Sequence, residues 1–147
     1  MKLLIDTNIV LDVILERQPF YSNSIEVLCL AKKDDVEEYI SASAVTDIYY
    51  LIYRQLKDKG LAKELLKELF KIVSVASVTE QEIQKAMELE WKDFEDSVQY
   101  SVALLQEMNG IVTRNPSDYG DSEIPVWLPE RVNLEYVIKH AMISDEQ

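Results

Sequence analysis

The stretch 2–12, Lys-Leu-Leu-Ile-Asp-Thr-Asn-Ile-Val-Leu-Asp, constrains the fold of this chain more than any other stretch. Its apolar run 3–5 is long enough for a buried strand and too short for a helix. Asp6 ends the run, and the apolar spacing that follows predicts a helix with Asn8 as its N-cap. Asp6 therefore lies at the carboxyl end of a strand, where open α/β sheets bind ligands. The alternative is that Asp6 only helps to cap the helix.

Composition limits the chain to one ordinary domain. It has 147 residues, of which 48% are hydrophobic and 29% charged. The single cysteine, Cys29, excludes an intramolecular disulfide and a Cys-based zinc cluster, and its apolar neighbours predict that its side chain is buried. No run approaches the ~18 apolar residues of a membrane span. Because no export signal precedes the first strand, we expect a cytoplasmic protein.

The net charge of −12 argues against a broad basic face for nucleic acid. It does not exclude a nuclease, because divalent cations held by clustered acids can reverse the local charge. The same negative charge would also suit a basic segment of a partner protein.

Short apolar strands alternate with longer helices along the chain, which predicts an α/β fold with helices on both faces of a parallel sheet. Ser43 and Asp93 are predicted helix N-caps, Thr79 and Glu82 form a predicted capping box, and Asn109-Gly110 a predicted helix stop. The predicted strands are 3–5, 38–42, 72–75, 111–113 and 124–127, and the predicted helices include 9–17, 22–33, 62–70, 94–107 and 129–142.

Four carboxylates, Asp6, Asp47, Asp96 and Asp118, lie near strand ends or helix starts. A parallel sheet would gather them at one edge, where they persist only with a bound cation or with raised pKa values. Such oxygen ligands suit Mg²⁺ or Mn²⁺, which can ready a water molecule to displace a phosphoryl group in line. Each of the last three could instead be a first-turn acid that stabilises a helix dipole. Asp12, in mid-helix, could support the site or simply be solvated.

Four segments in order resemble the motifs of the PIN (PilT N-terminus) domain family. The resemblance covers 1–128 and implies a three-layer α/β/α sandwich around a central, mostly parallel sheet. Residues 129–147 are predicted to be a helical C-terminal extension of the same domain. The segments are 4–9 (Leu-Ile-Asp-Thr-Asn-Ile), 43–50 (Ser-Ala-Val-Thr-Asp-Ile-Tyr-Tyr), 93–100 (Asp-Phe-Glu-Asp-Ser-Val-Gln-Tyr) and 112–119 (Val-Thr-Arg-Asn-Pro-Ser-Asp-Tyr).

The resemblance implies a metal-dependent ribonuclease, commonly the toxin of a bacterial or archaeal toxin–antitoxin pair. Carried over by position, Asp6, Asp96 and Asp118 would hold Mg²⁺ or Mn²⁺, and Asp47 would complete a catalytic quartet. The family often has Glu where this chain has Asp47, so the shorter side chain is expected to reach the ion through water. The substrate contacts that we predict are Thr7, Asn8, Thr113, Arg114 and Asn115.

The leading hypothesis is an endoribonuclease in which metal-activated water attacks RNA and leaves 5′-phosphate and 3′-hydroxyl ends. The resemblance further implies a homodimer and an antitoxin whose basic segment fills the acidic groove. Arg114 could pair with a phosphate or could simply offset the acids. One alternative is a PIN-fold binding module without nuclease activity. Another is a metal-dependent phosphatase or a nuclease acting on DNA. RNA and DNA are not distinguished, since no residue that reads the 2′-hydroxyl can be named.

Overall fold

The structure is a computed structural model that describes the backbone of residues 1–145 and the side chains of residues 1–136, 138 and 139. Its strands are β1 (Lys2–Ile5), β2 (Glu37–Ser41), β3 (Ser74–Ala76), β4 (Gly110–Val112) and β5 (Val126–Trp127). Its helices are α1 (Thr7–Ile14), α2 (Tyr21–Cys29), α3 (Ala42–Leu56), α4 (Lys59–Leu69), α5 (Glu80–Glu88), α6 (Phe94–Leu105) and α7 (Pro129–Asp145). None of the described helices is long and apolar enough to cross a membrane.

The five strands form one sheet in the order β3-β2-β1-β4-β5, and every pairing in it is parallel. Leu4 of β1 lies opposite Tyr39 on one side and Ile111 on the other. From the central β1 the chain builds outward through β2 and β3, and then crosses back to add β4 and β5 on the other side. The strand order therefore reverses between β1 and β4, and a crevice opens at their carboxyl ends.

Alternate residues of β1 point into two separate cores. Leu3 and Ile5 pack in a core with side chains of α1, α2, α3, α4 and α7, whereas Leu4 packs in a second core with side chains of α6. Successive side chains of a strand point to opposite faces, so the sheet is covered on both sides. The predicted α/β fold with a parallel sheet and three layers is confirmed.

Two helices begin earlier than the sequence predicted, and both predicted N-caps are wrong. Asp6, not Asn8, caps α1, because its Oδ1 accepts a hydrogen bond from the backbone N of Thr7 at 2.7 Å. Ser41, not Ser43, caps α3 with a 3.3 Å bond from the backbone N of Ser43. Each helix starts almost directly after its strand, without the short loop that the predictions assumed.

The predicted helix stop at Asn109-Gly110 is also wrong. α6 ends at Leu105, Glu107 takes a left-handed conformation with φ 57°, and Gly110 opens β4. The Asn109 side chain instead accepts a hydrogen bond from the backbone N of Lys2 at 2.7 Å, which ties the start of β4 to β1.

Other local predictions have mixed outcomes. The Thr79–Glu82 capping box and the Asp93 cap are confirmed. The predicted burial of Cys29 is wrong, because the last turn of α2 presents this side chain to solvent.

The C-terminal helix α7 packs against α2, and Asn133 Nδ2 donates to Glu26 Oε2 at 3.3 Å. The division into a domain 1–128 and an extension 129–147 stays a prediction. Residues 146 and 147 and the side chain of His140, which the sequence offers as its only histidine, lie outside the described residues.

Candidate active site

The crevice between β1 and β4 opens into a cleft of about 550 Å³, called here the acidic cleft. Asp6 enters it from the end of β1, Asp47 from the second turn of α3, and Asp96 from the first turn of α6. Asp118 enters from a short 3₁₀ helix, Pro116–Tyr119, that follows β4. The structure therefore brings the four sequence-predicted acids to one place, as the carboxyl edge of a parallel sheet allows.

Asp6 is held rigidly at the floor of the acidic cleft and is only 8% exposed. The donors are the backbone N of Thr7 (2.7 Å) and Gln99 Nε2 (3.1 Å) to Oδ1, and Thr113 Oγ1 (2.8 Å), Tyr119 Oη (3.3 Å) and Asn8 Nδ2 (3.4 Å) to Oδ2. All five donors are neutral groups, so they fix the direction of the carboxylate without cancelling its charge.

Asp96 is half-buried beside this fixed charge. Its backbone N donates to Oδ1 of the helix cap Asp93 at 3.1 Å, which sets the first turn of α6. Partial burial raises the pKa of Asp96 to about 7, and the negative charges of Asp6, Asp93, Asp118 and Glu95 raise it further. Burial and the neighbouring negative charges therefore both disfavour ionisation of Asp96 in the cleft without a cation.

Glu95, Gln99 and Tyr119 are site residues that our sequence reasoning missed. Partial burial raises the pKa of Glu95 to about 7, with further contributions from Asp47 and other acids of the cleft. Gln99 and Tyr119 are buried and donate to Asp6. A signal existed for two of them, because Glu95 and Gln99 are four residues apart on a predicted helix and therefore share a face.

The remaining predicted residues fall into different places. Thr7, Asn8 and Arg114 line the acidic cleft with the acids. Thr113 is completely buried beneath it, with its hydroxyl hydrogen-bonded to Asp6, so its position suits orienting the acid better than touching a substrate. Asn115 lies outside the acidic cleft and lines a neighbouring one.

Asp12 supports the site rather than facing solvent. It is completely buried, and its two oxygens pair with Arg17 Nε at 3.0 Å and with Arg114 Nε at 2.7 Å. Arg114 thus offsets Asp12, not the acids of the cleft. Among the described side chains, none forms an ion pair with an acid of the acidic cleft.

A family model for the PIN domain matches residues 2–117 of this sequence. The chain belongs to the PIN domain family. The resemblance predicted from its four motifs is confirmed. Comparison with curated proteins gives no significant match.

Solved structures share the fold of this PIN domain at low sequence identity. A chain of VapBC2 from Rickettsia felis, bound to a DNA fragment from their promoter, is 18% identical with a TM-score of 0.68, over 87% of this chain and 98% of that one. A chain of a toxin–antitoxin complex from Klebsiella pneumoniae is 17% identical with a TM-score of 0.65, over 86% of this chain and 96% of that one. The sarcin–ricin loop cleaving toxin VapC20 from Mycobacterium tuberculosis is 15% identical with a TM-score of 0.58, over 74% of this chain and 86% of that one.

The donor atoms of the PIN domain's acidic cleft fit a hard divalent cation. They are carboxylate oxygens without ion-pair partners, beside a buried Thr7 hydroxyl that has no hydrogen-bond partner among the described residues. Within the described side chains, no three Asp, Glu, His or Cys residues already form a group that could hold an ion. Because Asp6 is fixed whereas Asp47 and Asp118 are exposed, the exposed acids are the ones that would turn toward a shared ion.

Proposed function

We propose that this PIN domain is an endoribonuclease that depends on Mg²⁺ or Mn²⁺ and that serves as the toxin of a toxin–antitoxin pair. One observation carries the proposal: Asp6, Asp47, Asp96 and Asp118 line a single cleft at the point where the strand order reverses. Acids at that place that form no ion pair with any described side chain, in a chain with a net charge of −12, are suited to a cationic cofactor and an anionic substrate.

Each acid has a role that follows from its position. Asp6, Asp96 and Asp118 would hold the cation, which supplies Lewis acidity and lowers the pKa of a water molecule when bound. Asp6 contributes the fixed oxygens, because five hydrogen bonds prevent its rotation. Asp47, exposed on the rim, accepts the proton of the attacking water.

The substrate contacts are assigned by access to the acidic cleft. Thr7 and Asn8 line it and can reach the phosphate that is cleaved, and Arg114 also lines it and can pair with a phosphate of the strand. Asn115 would touch a neighbouring part of the strand, since it lies in the adjoining cleft. The expected products carry 5′-phosphate and 3′-hydroxyl ends.

The partners are proposed from the proteins that share the fold. The structures from Rickettsia felis, Klebsiella pneumoniae and Mycobacterium tuberculosis are of VapBC2, a toxin–antitoxin complex and a sarcin–ricin loop cleaving toxin. We therefore propose an antitoxin whose basic segment occupies the acidic cleft, a homodimer, and activity in the cytoplasm. Electrostatic attraction favours such a segment because the cleft is lined mainly by acids.

The decisive experiment is a cleavage assay on a pool of structured RNAs with Mg²⁺, Mn²⁺ or EDTA. We expect cleavage that requires the ion and falls by at least about a hundredfold in Asp6→Asn. Glu90→Gln is the matched control, because Glu90 is an exposed acid outside the acidic cleft. Equal activity of the Asp6→Asn and native chains would contradict the assignment.

The alternatives appear as different outcomes of the same assay. Cutting of single-stranded DNA but not RNA would indicate a DNA nuclease. Absence of cleavage together with absence of metal binding would favour a PIN-fold binding module. Absence of cleavage with retained metal binding would point to a narrower RNA substrate than the pool contains.

A further inference from the structure

Two guanidinium groups flank one buried carboxylate beside the acidic cleft. Asp12 is completely buried, and each of its oxygens accepts from a different arginine, Arg17 at 3.0 Å and Arg114 at 2.7 Å. Ser24 Oγ lies 3.3 Å from Asp12 Oδ2 and donates to it. One negative charge between two positive charges leaves an excess of positive charge, in a cleft whose other charged residues are mostly acids.

Both arginines contact Asp12 through Nε, which leaves the outer edges of their guanidinium groups for other contacts. Arg17 places Nη2 at 3.3 Å from the carbonyl oxygen of Asn8. The Nη atoms of Arg114 have no hydrogen-bond partner among the described residues. A planar guanidinium that is fixed at one edge and open at the other is suited to bind phosphate oxygens.

Arg114 is also the wall between two clefts. It lines both the acidic cleft and a second cleft of about 490 Å³, called here the Phe20 cleft, which Asn115 also lines. The guanidinium carbon of Arg114 lies 3.8 Å from the centre of the Phe20 ring, and this ring is 38% exposed. An exposed ring beside a cation resembles the surfaces on which single-stranded nucleic acids stack their bases.

We propose that Arg114, Arg17 and Phe20 form a subsite for a nucleotide that flanks the scissile phosphate, with Asp12 as the residue that positions both arginines. This inference rests on the proposed nuclease function, because it concerns the next nucleotide of the same substrate. The arginines bind that nucleotide's phosphate, and its base stacks on Phe20. The ligand is a single strand, since a base within a duplex has no free face to offer the ring.

The phosphate contact is tested by binding of a labelled single-stranded RNA, measured by fluorescence anisotropy with Mg²⁺ in an Asp96→Asn background that prevents cutting. We expect Arg114→Gln to raise Kd about tenfold and to reduce the slope of log K against log salt by about 0.7, the value for one lost phosphate contact. Arg131→Gln is the control for charge, because Arg131 lies on α7, pairs with Glu135 and lines neither cleft. Its Kd and slope should stay unchanged.

The base contact is tested with Phe20→Leu, which keeps apolar bulk but removes the ring. We expect it to raise Kd for the RNA at least about fivefold and to leave Kd unchanged for an abasic strand of the same length. Phe70→Leu is the matched control, since Phe70 is 41% exposed and lines neither cleft.

The positioning role of Asp12 is tested with Asp12→Asn, which leaves both positive charges in place without their shared anchor. The affinity for the RNA should fall several-fold while the slope of log K against log salt is retained. A loss of folded protein would not produce this combination. If Asp12→Asn fails to fold, Arg114→Lys tests whether the planar edge that Asp12 orients is needed, because it keeps the charge and removes that edge.

The subsite is overturned if Arg114→Gln and Phe20→Leu bind RNA as their controls do, even when the native chain cleaves RNA. It is also overturned if the Asp96→Asn and native chains bind no single-stranded RNA with Mg²⁺. A native chain that never cleaves RNA, combined with the predicted losses of binding, would instead refute the proposed nuclease and leave the subsite standing.

Discussion

At the scale of single residues, the acidic cleft combines one fixed carboxylate with several crowded ones. The five neutral donors around Asp6 hold its oxygens in place. Asp96 and Glu95, by contrast, have pKa values raised to about 7 by partial burial and by neighbouring acids. The cleft therefore destabilises the metal-free fold, and a bound cation would remove that cost.

Asp96→Asn should stabilise the protein in the presence of a chelator. The folded pKa of Asp96 is raised from 3.8 to about 7, so its contribution to stability is intact below pH 4 and is lost as the pH rises through 7. Because water screens this half-buried group, we expect a gain of only about 1 kcal/mol in the free energy of unfolding at pH 8. Urea unfolding with EDTA measures it. Equal stability of the two chains at pH 8 would contradict the crowding.

Glu38 is an acid outside the cleft whose pKa is raised by burial alone. It is 3% exposed on β2, neither of its carboxyl oxygens has a hydrogen-bond partner among the described residues, and burial raises its pKa from 4.5 to about 8. The stability that depends on its neutral form is complete below pH 4.5 and is lost as the pH rises through 8.

Glu38→Gln replaces the carboxyl group with an amide that cannot ionise, and it should therefore remove this loss of stability at high pH. We expect the variant to exceed the native chain in the free energy of unfolding by roughly 2–4 kcal/mol at pH 9, and by much less at pH 5. Thermal unfolding across that pH range tests the prediction. A difference that does not change with pH would show that Glu38 does not titrate in the folded protein.

At the scale of elements, sequence reasoning succeeded for periodic segments and failed at several helix ends. The spacing of apolar residues predicts parallel strands and amphipathic helices. The same spacing does not predict where helices end. Gly or Asn usually marks a left-handed residue after a helix, but here Glu16, Lys57 and Glu107 take that conformation. The contact of Asp12 with Arg114 could not be predicted either, since it joins parts of the chain that are 102 residues apart.

Two glycines in different elements should respond oppositely to alanine. A Cβ at Gly110 of β4 would lie 2.8 Å from the Trp127 indole carbon Cε3 of β5, so Gly110→Ala should cost about 2 kcal/mol through forced displacement of the ring. Gly60 lies in the first turn of α4, and a Cβ there would meet only Asp58 Oδ1 at 3.5 Å. Gly60→Ala should therefore stabilise the protein by about 0.5–1 kcal/mol. Chemical denaturation checks both values, and equal signs would refute the argument.

At the scale of the whole molecule, the net charge of −12 and the acids that line the cleft would repel an anionic substrate, and a bound cation would offset that repulsion. The fold supplies the place, because the reversal of strand order between β1 and β4 opens the sheet where β1 delivers Asp6. The four acids were predictable from sequence because each lies shortly after a predicted strand or within the first two turns of a predicted helix. Tyr119 was not predicted, because its hydrogen bond to Asp6 joins parts of the chain that are 113 residues apart. Glu95 was missed although it shares a helix face with Gln99.

The most direct test of this account is a calorimetric titration of the native chain with Mn²⁺ at pH 6.5, in two buffers that differ in ionisation enthalpy. We expect saturable binding that releases protons, because Asp96 and Glu95, with pKa values of about 7, must ionise as the cation binds. Asp96→Asn should weaken this binding at least about tenfold, and Glu90→Gln should leave it unchanged. Saturable binding that Asp96→Asn does not weaken, or the absence of any binding, would contradict the claim that the acidic cleft is a metal site.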